Sequence, residues 1–475
     1  MAEFFRFRSI NSLLVEHQEL EKQTIYFASP EELNDPMEGF RDIVWSGDKI
    51  VWTNFFKHYV YCLYLSYFQF RLVGDSKTLE IDSIPILGCW DQLPSPQAQN
   101  LFDEIWHNFL NVPNIQEIIE ALANTKHKIR YREIGYYLRI IYPVLLKEIL
   151  KSYIAHGLLP KSEMPELPEE LPLSAFLAAI LFTLKLTEEA KTEKELDDAF
   201  LFSEMMDNNE RFKEQYNSRP ISTDILRKNN QLVIFDFPKV YVEQLERLLW
   251  PEWYTACFMK SYHNSSMWGN YGDNHKGICL IFEGVETDNL NSLELNLAAN
   301  GGTRTIPFRE VTYADRPSEI DFFRTICRLP IAALRKLWYT DREGKISECA
   351  AHIGPDRDED TWRKKYWNKF FRDITIKTKD WAYEQEYRLI LEDGLSEFNK
   401  RSDRTLTYDF NSLKGIIFGI RTSDEDKRKI IEIIEKKCEK YNRADFKFFQ
   451  ADYSAENGNI RKYPIQLPFA KDTDK

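Results

Sequence analysis

Aromatic and basic residues alternate in Phe5-Arg6-Phe7-Arg8, a period of two that, as a strand, sends both arginines to one face. A helix-like segment, Ser9–Leu20, and a short strand, Thr24–Ala28, follow. Ser29 with Pro30 and Glu32 reads as a helix N-cap with proline at the first helical position, and Asn34-Asp35-Pro36 stops that helix. From Ile50 to Trp250 the period lengthens. Aromatic and aliphatic residues recur at three-to-four spacing, as in Tyr136, Tyr137, Ile140, Ile141 and Val144, and predict amphipathic helices. The proline- and acid-rich stretch Pro160–Pro172 reads as an exposed linker between two helical groups. After Tyr254 strand signals return in Ala256–Met259, Lys276–Phe282, Gln385–Leu391, Gly415–Ile420 and Lys447–Gln450, interrupted by a helical excursion near 317–373. Asp424–Lys440 predicts an amphipathic helix with Ile430, Ile431, Ile433 and Ile434 inward and Ser423 as its cap.

This pattern predicts an α+β chain. A small mixed or antiparallel sheet core is built from residues 1–49 and 251–475, and the mostly helical region 50–250 is inserted into it. The 475 residues are 43% hydrophobic and 14% aromatic, enough for a substantial core. The formal charge of −12 repels nucleic-acid backbones and makes binding to bulk duplex DNA an unfavoured role. The seven cysteines are scattered, with no C-x-x-C pair, which predicts a reducing, cytoplasmic setting. Neither a signal peptide nor an apolar run near the ~20 residues of a membrane span is present, so no membrane role is expected.

Candidate chemistry concentrates in three segments. In WAYEQEYRLIL, Trp381 to Leu391, strand alternation places Glu384, Glu386 and Arg388 on one face and the aromatics on the other. Two such carboxylates repel unless a cation or ligand offsets them, so the set reads as a working pair or as a salt-bridged solvent face. In the segment from Ala256 to Phe282, Met267, Trp268 and Tyr271 share a helical face ahead of a polar turn that ends at His275. These suit a planar, hydrogen-bonding ligand, or else Trp268 and Tyr271 anchor a core and His275 closes the turn. No second histidine lies at ligand spacing, His263 being nearest, so no metal site is assigned. In the segment from Ile25 to Phe40, Asn34, Asp35 and Glu38 cluster where a turn either binds a ligand or satisfies itself. Arg6 and Arg8 suit a phosphate or pyrophosphate, or pair with acids at a sheet edge. The P-loop, Rossmann, zincin and nucleophile-elbow templates are absent.

Together, the F-R-F-R start, IYFASPEELNDPMEG, the MWGNYGDNHKG segment, WAYEQEYR and IIFGIR resemble the bacterial family catalogued as "domain of unknown function 2971". The matching residues are Asn34, Asp35, Pro36, Glu38, Met267, Trp268, Tyr271, His275, Gly277, Trp381, Glu384, Glu386, Tyr387, Arg388, Gly419 and Arg421. The resemblance implies an intracellular bacterial effector of a defence-type system, and by itself no activity. A second similarity, to ADP-ribosyltransferases, rests on Arg6 or Arg8, then Tyr26 to Ser29, then Glu384-x-Glu386, in that order. It implies NAD as substrate, with an arginine on the pyrophosphate, Tyr26 on the nicotinamide and a glutamate on the ribose. His275 is taken as a further catalytic candidate. Two other functions are expected alternatives: a metal-dependent nuclease or phosphodiesterase using Asp35, Glu38, His275, Glu384 and Glu386, and a non-enzymatic sensor or assembly protein. In the latter the inserted helices bind a protein partner. The sequence leaves the oligomeric state open.

Overall fold

A computed structural model describes residues 2–161, 173–190, 192, 195, 223–297, 302–353, 359–394 and 397–465. Most of the linker expected at 160–172 therefore lies outside the described residues. The chain is mixed α+β and divides by its contacts into two units: Met1–Phe40 with Pro251–Ser318 and Phe370–Lys475, and Arg41–Trp250 with Glu319–Lys369.

The first unit holds an eight-stranded sheet. Its strand order is Arg309–Glu310, Glu386–Asp393, Glu252–Met259, Glu3–Arg8, Ile278–Glu283, Leu413–Phe418, Lys447–Ser454 and Asn459–Ile465. All neighbours are antiparallel except Leu413–Phe418 and Lys447–Ser454, which the helix Asp424–Lys440 connects. That helix begins where predicted, with Ser423 Oγ accepting from the Asp426 amide at 3.1 Å. A smaller five-stranded sheet pairs Thr24–Tyr26, Thr405–Tyr408, Leu290–Asn296 and Val285–Thr287, with Thr303–Pro307 added at Leu290–Asn296.

Strand alternation sorts the N-terminal residues between two cores. Phe4 packs with Phe258, Phe282, Phe308 and the helix residues Ile430 and Ile434, while Phe5 and Phe7 pack with Met267, Trp268 and Ile281 on the opposite face. Burying each of these aromatic rings stabilises the unit by roughly 1.5–3 kcal/mol. The expected helix Ser9–Leu20 is corrected to a π-helical turn, Asn11–Glu16, and a separate short helix, Glu19–Lys22. The break falls at Gln18, whose φ of +52° interrupts a continuous helix while Leu13 and Leu20 stay buried.

The second unit is mostly helical, with helices Lys49–Val73, Pro96–Leu110, Ile115–Asn124, Tyr131–Ala155 and Leu173–Glu189 and a buried aromatic core that includes Trp52, Phe55, Tyr59, Tyr137 and Tyr241. The expected helical excursion near 317–373 starts instead with a strand, Glu319–Asp321, parallel to Asp42–Trp45, and becomes helical from Ile331. Among the described residues no helix is long and apolar enough to cross a membrane.

Candidate active site

The site opens where the large sheet comes apart. The strand Glu3–Arg8 pairs along its whole length with Ile278–Glu283, and Glu252–Met259 does the same with Glu386–Asp393. Between these two fully paired strands only Phe5 and Met259 are partners. Beyond that pair the strands separate, and Ala28 supplies a single bridge to Thr255, with bonds of 2.8 and 2.9 Å. The gap is a cleft of about 190 Å³, room for on the order of ten waters. Its walls include Arg6, Arg8, Tyr26, Asn34, Glu38, Tyr271, Glu384 and Glu386, all named from the sequence as site residues, together with Cys257 and with Lys377, which the sequence offers only as one of a basic run.

Period-two alternation carries both arginines into the cleft, but their surroundings differ. Arg8 is held by Glu19, with Nε donating to Oε2 at 2.6 Å. Arg6 is only 8% exposed, and among the described residues its one side-chain hydrogen bond is a long one, Nη1 to the Cys257 carbonyl at 3.4 Å. Among the described residues no carboxylate lies within ion-pair distance of it. Burial, and then the charge of Arg8, bring its pKa down to about 10. A desolvated cation of this kind is favoured by an incoming anion, and a guanidinium presents a planar fork to phosphate or carboxylate.

Opposite Arg6 runs a chain of buried charges. Asn34 Nδ2 donates to the Tyr271 hydroxyl (2.8 Å), which donates to Glu384 Oε1 (2.6 Å). Lys377 Nζ donates to Glu384 Oε2 at 2.8 Å and to Glu386 Oε2 at 3.3 Å. Arg388 donates from Nε to Glu386 Oε1 (2.8 Å) and bidentately to Glu38, at 2.7 and 2.8 Å. Three carboxylates and two cations leave one net negative charge on this wall.

The two glutamates are driven apart in acidity. Burial raises Glu384 above the usual carboxylate range, against the opposing pull of Lys377 and Tyr271. Burial would also raise Glu386, but Arg388 and then Lys377 outweigh it and bring its pKa down to about 2. Divergent acidity in neighbouring carboxyls is the pattern that lets one stay ionised while the other exchanges a proton. Cys257, held high by burial and then by Glu386, remains a neutral thiol rather than a nucleophile.

Several expectations need correction or relocation. Trp381–Leu391 is not one strand: Lys379–Glu384 is a 3-10 turn, Gln385 has φ +47°, and the strand starts at Glu386. The left-handed residue between the glutamates breaks the alternation, and it is the 3-10 turn that brings Glu384 back to Lys377. Tyr26 lines the cleft, yet its hydroxyl donates to Glu32 at 2.7 Å and the Arg401 guanidinium lies 4.5 Å from its ring centroid. Ser29 forms the predicted capping box with Glu32 and is not a cleft residue. Asp35 accepts from the Met37 amide at 2.9 Å in its own turn and borders a separate small cavity of about 20 Å³ that Glu38 and Lys377 also line.

Trp268 and His275 lie outside the cleft lining. Trp268 is fully buried, stacked edge-on against Phe7 at 5.0 Å, with Nε1 donating to the Tyr262 carbonyl. Asp273, Asn274 and His275 all have positive φ, a run that these residue types tolerate better than most. The turn places the His275 carbonyl to accept from the Arg421 amide (2.9 Å) and the Gly277 carbonyl to accept from Gly419 (3.0 Å). There is no room for side chains at these glycines: a Cβ on Gly419 would stand 2.3 Å from the His275 carbonyl oxygen, and one on Gly277 2.3 Å from that of Arg8. Gly419→Ala is therefore expected to cost about 1–3 kcal/mol, read as a lowered midpoint in urea unfolding.

Lys377 and Cys257 carry no motif. Lys377 stands in a run of basic residues that resembles a solvated face, and only its burial reveals it. Among the described residues no group of three or more His, Cys, Asp or Glu side chains is placed to hold a metal ion.

Residues 267–389 match a family model described as "Protein of unknown function (DUF2971)", under half of the chain. The matched span holds Tyr271, Lys377, Glu384, Glu386 and Arg388, whereas Arg6, Arg8, Asn34 and Glu38 lie before it. No curated protein and no solved structure gives a match, so the likeness to ADP-ribosyltransferases has no counterpart among known proteins compared with the chain.

Proposed function

We propose that the cleft binds a phosphorylated nucleoside of the NAD type and cleaves its glycosidic bond to nicotinamide, passing the ADP-ribosyl group to water or to an acceptor. The observation that carries this reading is the meeting, in one cleft, of a buried guanidinium with no ion-pair partner among the described residues, Arg6, with two glutamates of unlike acidity. Arg6 holds the anionic diphosphate. As the bond from the ribose carbon to the pyridinium nitrogen breaks, its electron pair leaves with nicotinamide and positive charge develops on the ribose. Glu386, ionised at any pH above about 2, offsets that charge, a preplaced electrostatic effect of the kind that dominates many rate enhancements. The nucleophile's O–H then adds to the ribose carbon, and its proton passes to Glu384, whose raised pKa makes it the better base.

The metal-dependent alternative is disfavoured by the same contacts, because the glutamate oxygens already face Lys377, Arg388 and Tyr271 rather than an open position. A purely non-enzymatic role leaves unexplained why Arg6 is buried with no carboxylate partner among the described residues. The test is nicotinamide release from NAD by the purified protein, with and without cell extract as a source of acceptors. Release that persists in EDTA, with KM raised at least tenfold in Arg6→Ala, is the expected result. No release under any of these conditions overturns the reading.

A further inference from the structure

Among the described residues Lys377 is the one cation that touches both glutamates, and it belongs to no sequence motif. It projects from the short strand Ile376–Thr378, which pairs in parallel with Thr312–Ala314. Its side chain is 5% exposed, and Nζ lies 2.8 Å from Glu384, 3.3 Å from Glu386 and 4.5 Å from the centroid of the Trp381 ring. Such a site costs a lysine its hydration, so the cation is held there by both carboxylates together.

We propose that Lys377 is a positioning residue that divides the labour of the two glutamates, helping Arg388 keep Glu386 ionised while setting the pH at which Glu384 exchanges its proton. The groups that face this arrangement are few. From the Glu386–Asp393 strand come Glu386 and Arg388, from the 3-10 turn Glu384, from the loop after Ser29 Glu38, and from the end of the helix Ser265–Asn270 Tyr271. Tyr313 accepts from the Glu386 amide at 2.8 Å, Cys257 lies against Glu386, and Asp35 and Arg316 border the small cavity behind Lys377.

Geometry gives Lys377 a role that neither arginine duplicates. Arg388 reaches Glu386 and Glu38 but makes no bond to Glu384, and among the described residues Arg6 pairs with no carboxylate. Without Lys377, Glu384 would keep only the neutral Tyr271 hydroxyl as a donor and would sit beside an ionised Glu386 with no cation between them. An opposite charge at this distance moves a carboxyl by about one to three pH units, so its loss moves Glu384 upward by that much.

The inference rests on reading Glu384 and Glu386 as the working carboxylates, yet its first test needs no substrate. Glutamate labelled at the side-chain carboxyl carbon is titrated by NMR, with the Glu384 signal assigned by its loss in Glu384→Gln. Lys377→Met is expected to raise the Glu384 midpoint by at least about one pH unit, and Lys377→Arg to restore most of the difference. An unchanged midpoint in Lys377→Met overturns the proposal. Should Lys377→Met fail to fold, Glu386→Gln serves instead, because each cation there retains one carboxylate. Its Glu384 midpoint is expected to fall, since the repelling charge of Glu386 is gone and Lys377 then serves Glu384 alone, and a midpoint that stays or rises overturns the proposal. The second readout is the acidic limb of the kcat profile for NAD cleavage, which should move to higher pH in Lys377→Met. Titrations that shift in a protein that releases no nicotinamide sink the proposed function alone. Cleavage whose pH profile ignores Lys377 sinks this inference alone.

Discussion

Glutamine in place of Glu386 is expected to lower kcat for nicotinamide release by about 10²–10³-fold, with KM changed far less. The amide keeps the volume of the carboxylate but cannot offer a negative charge to a ribose becoming cationic, so the loss falls on the transition state rather than on substrate binding. Glu384→Gln should behave differently. Its proton-accepting role comes after bond cleavage has begun, so transfer to an acceptor should fall by roughly 10²–10⁴-fold while slow hydrolysis to free nicotinamide survives better. Parallel assays of nicotinamide release and of label transfer from adenine-labelled NAD separate the two. Equal loss of both activities in both variants would show that the glutamates do not divide the work. Thermal unfolding followed by circular dichroism checks that neither amide substitution acts through the fold.

Removing Arg388 should unseat the site's frame. This side chain is fully buried, and it bonds Glu386, Glu38 and the Ile374 carbonyl at 2.7 to 3.1 Å. Arg388→Met leaves two buried carboxylates short of a cation, a change that typically costs 3–5 kcal/mol. The cost should depend on pH with a definite sign. Glu386 has its folded-state pKa depressed from 4.5 to about 2, so it contributes stability above roughly pH 4.5 that is lost as the pH falls toward 2. At about 1.36 kcal/mol per pH unit that contribution is roughly 3 kcal/mol. In Arg388→Met the depression is largely relieved, so the stability gap between wild type and variant should narrow between pH 5 and pH 2. Glu384, raised by burial, works in the opposite sense: its ionised form is disfavoured in the folded state, and protonating it as the pH falls relieves that cost. Urea unfolding across this range reads the difference, and a gap that stays constant with pH would show that Arg388 does not hold Glu386 ionised.

Local rules made much of this protein legible. Alternation in Phe5–Arg8 put Phe5 and Phe7 on one face and the two arginines on the other, and the structure keeps the two phenylalanines in a core of their own while both arginines line the cleft. The Ser423 cap, the Ser29–Glu32 capping box and the inward Ile430 and Ile434 follow from positions three and four residues apart, a reach at which side chains and backbone interact whatever the rest of the chain does. Glu384, Glu386 and Arg388 were recognisable as a set because charges this close must be reconciled somewhere.

How they are reconciled was a tertiary matter. Arg388 finds Glu38 across 350 residues of sequence, and Arg8 is paired with Glu19 while Arg6, two positions away, reaches only the Cys257 carbonyl. Lys377 looked like one more solvated base until the strand Ile376–Thr378 and the 3-10 turn after it buried the ammonium between two glutamates. Trp268 and His275, prominent in the motif, lie outside the cleft lining: one packs in the core against Phe7 and the other belongs to the turn that Gly419 closes on. Periodicity and capping are written in neighbouring residues, so the chain alone determined those strands and helices whose pattern is unbroken, and it failed where a left-handed residue such as Gln18 or Gln385 interrupts one. Burial, and with it the acidity of each charge, depends on which distant segments close over a side chain and remove its water, and that only the folded structure decided.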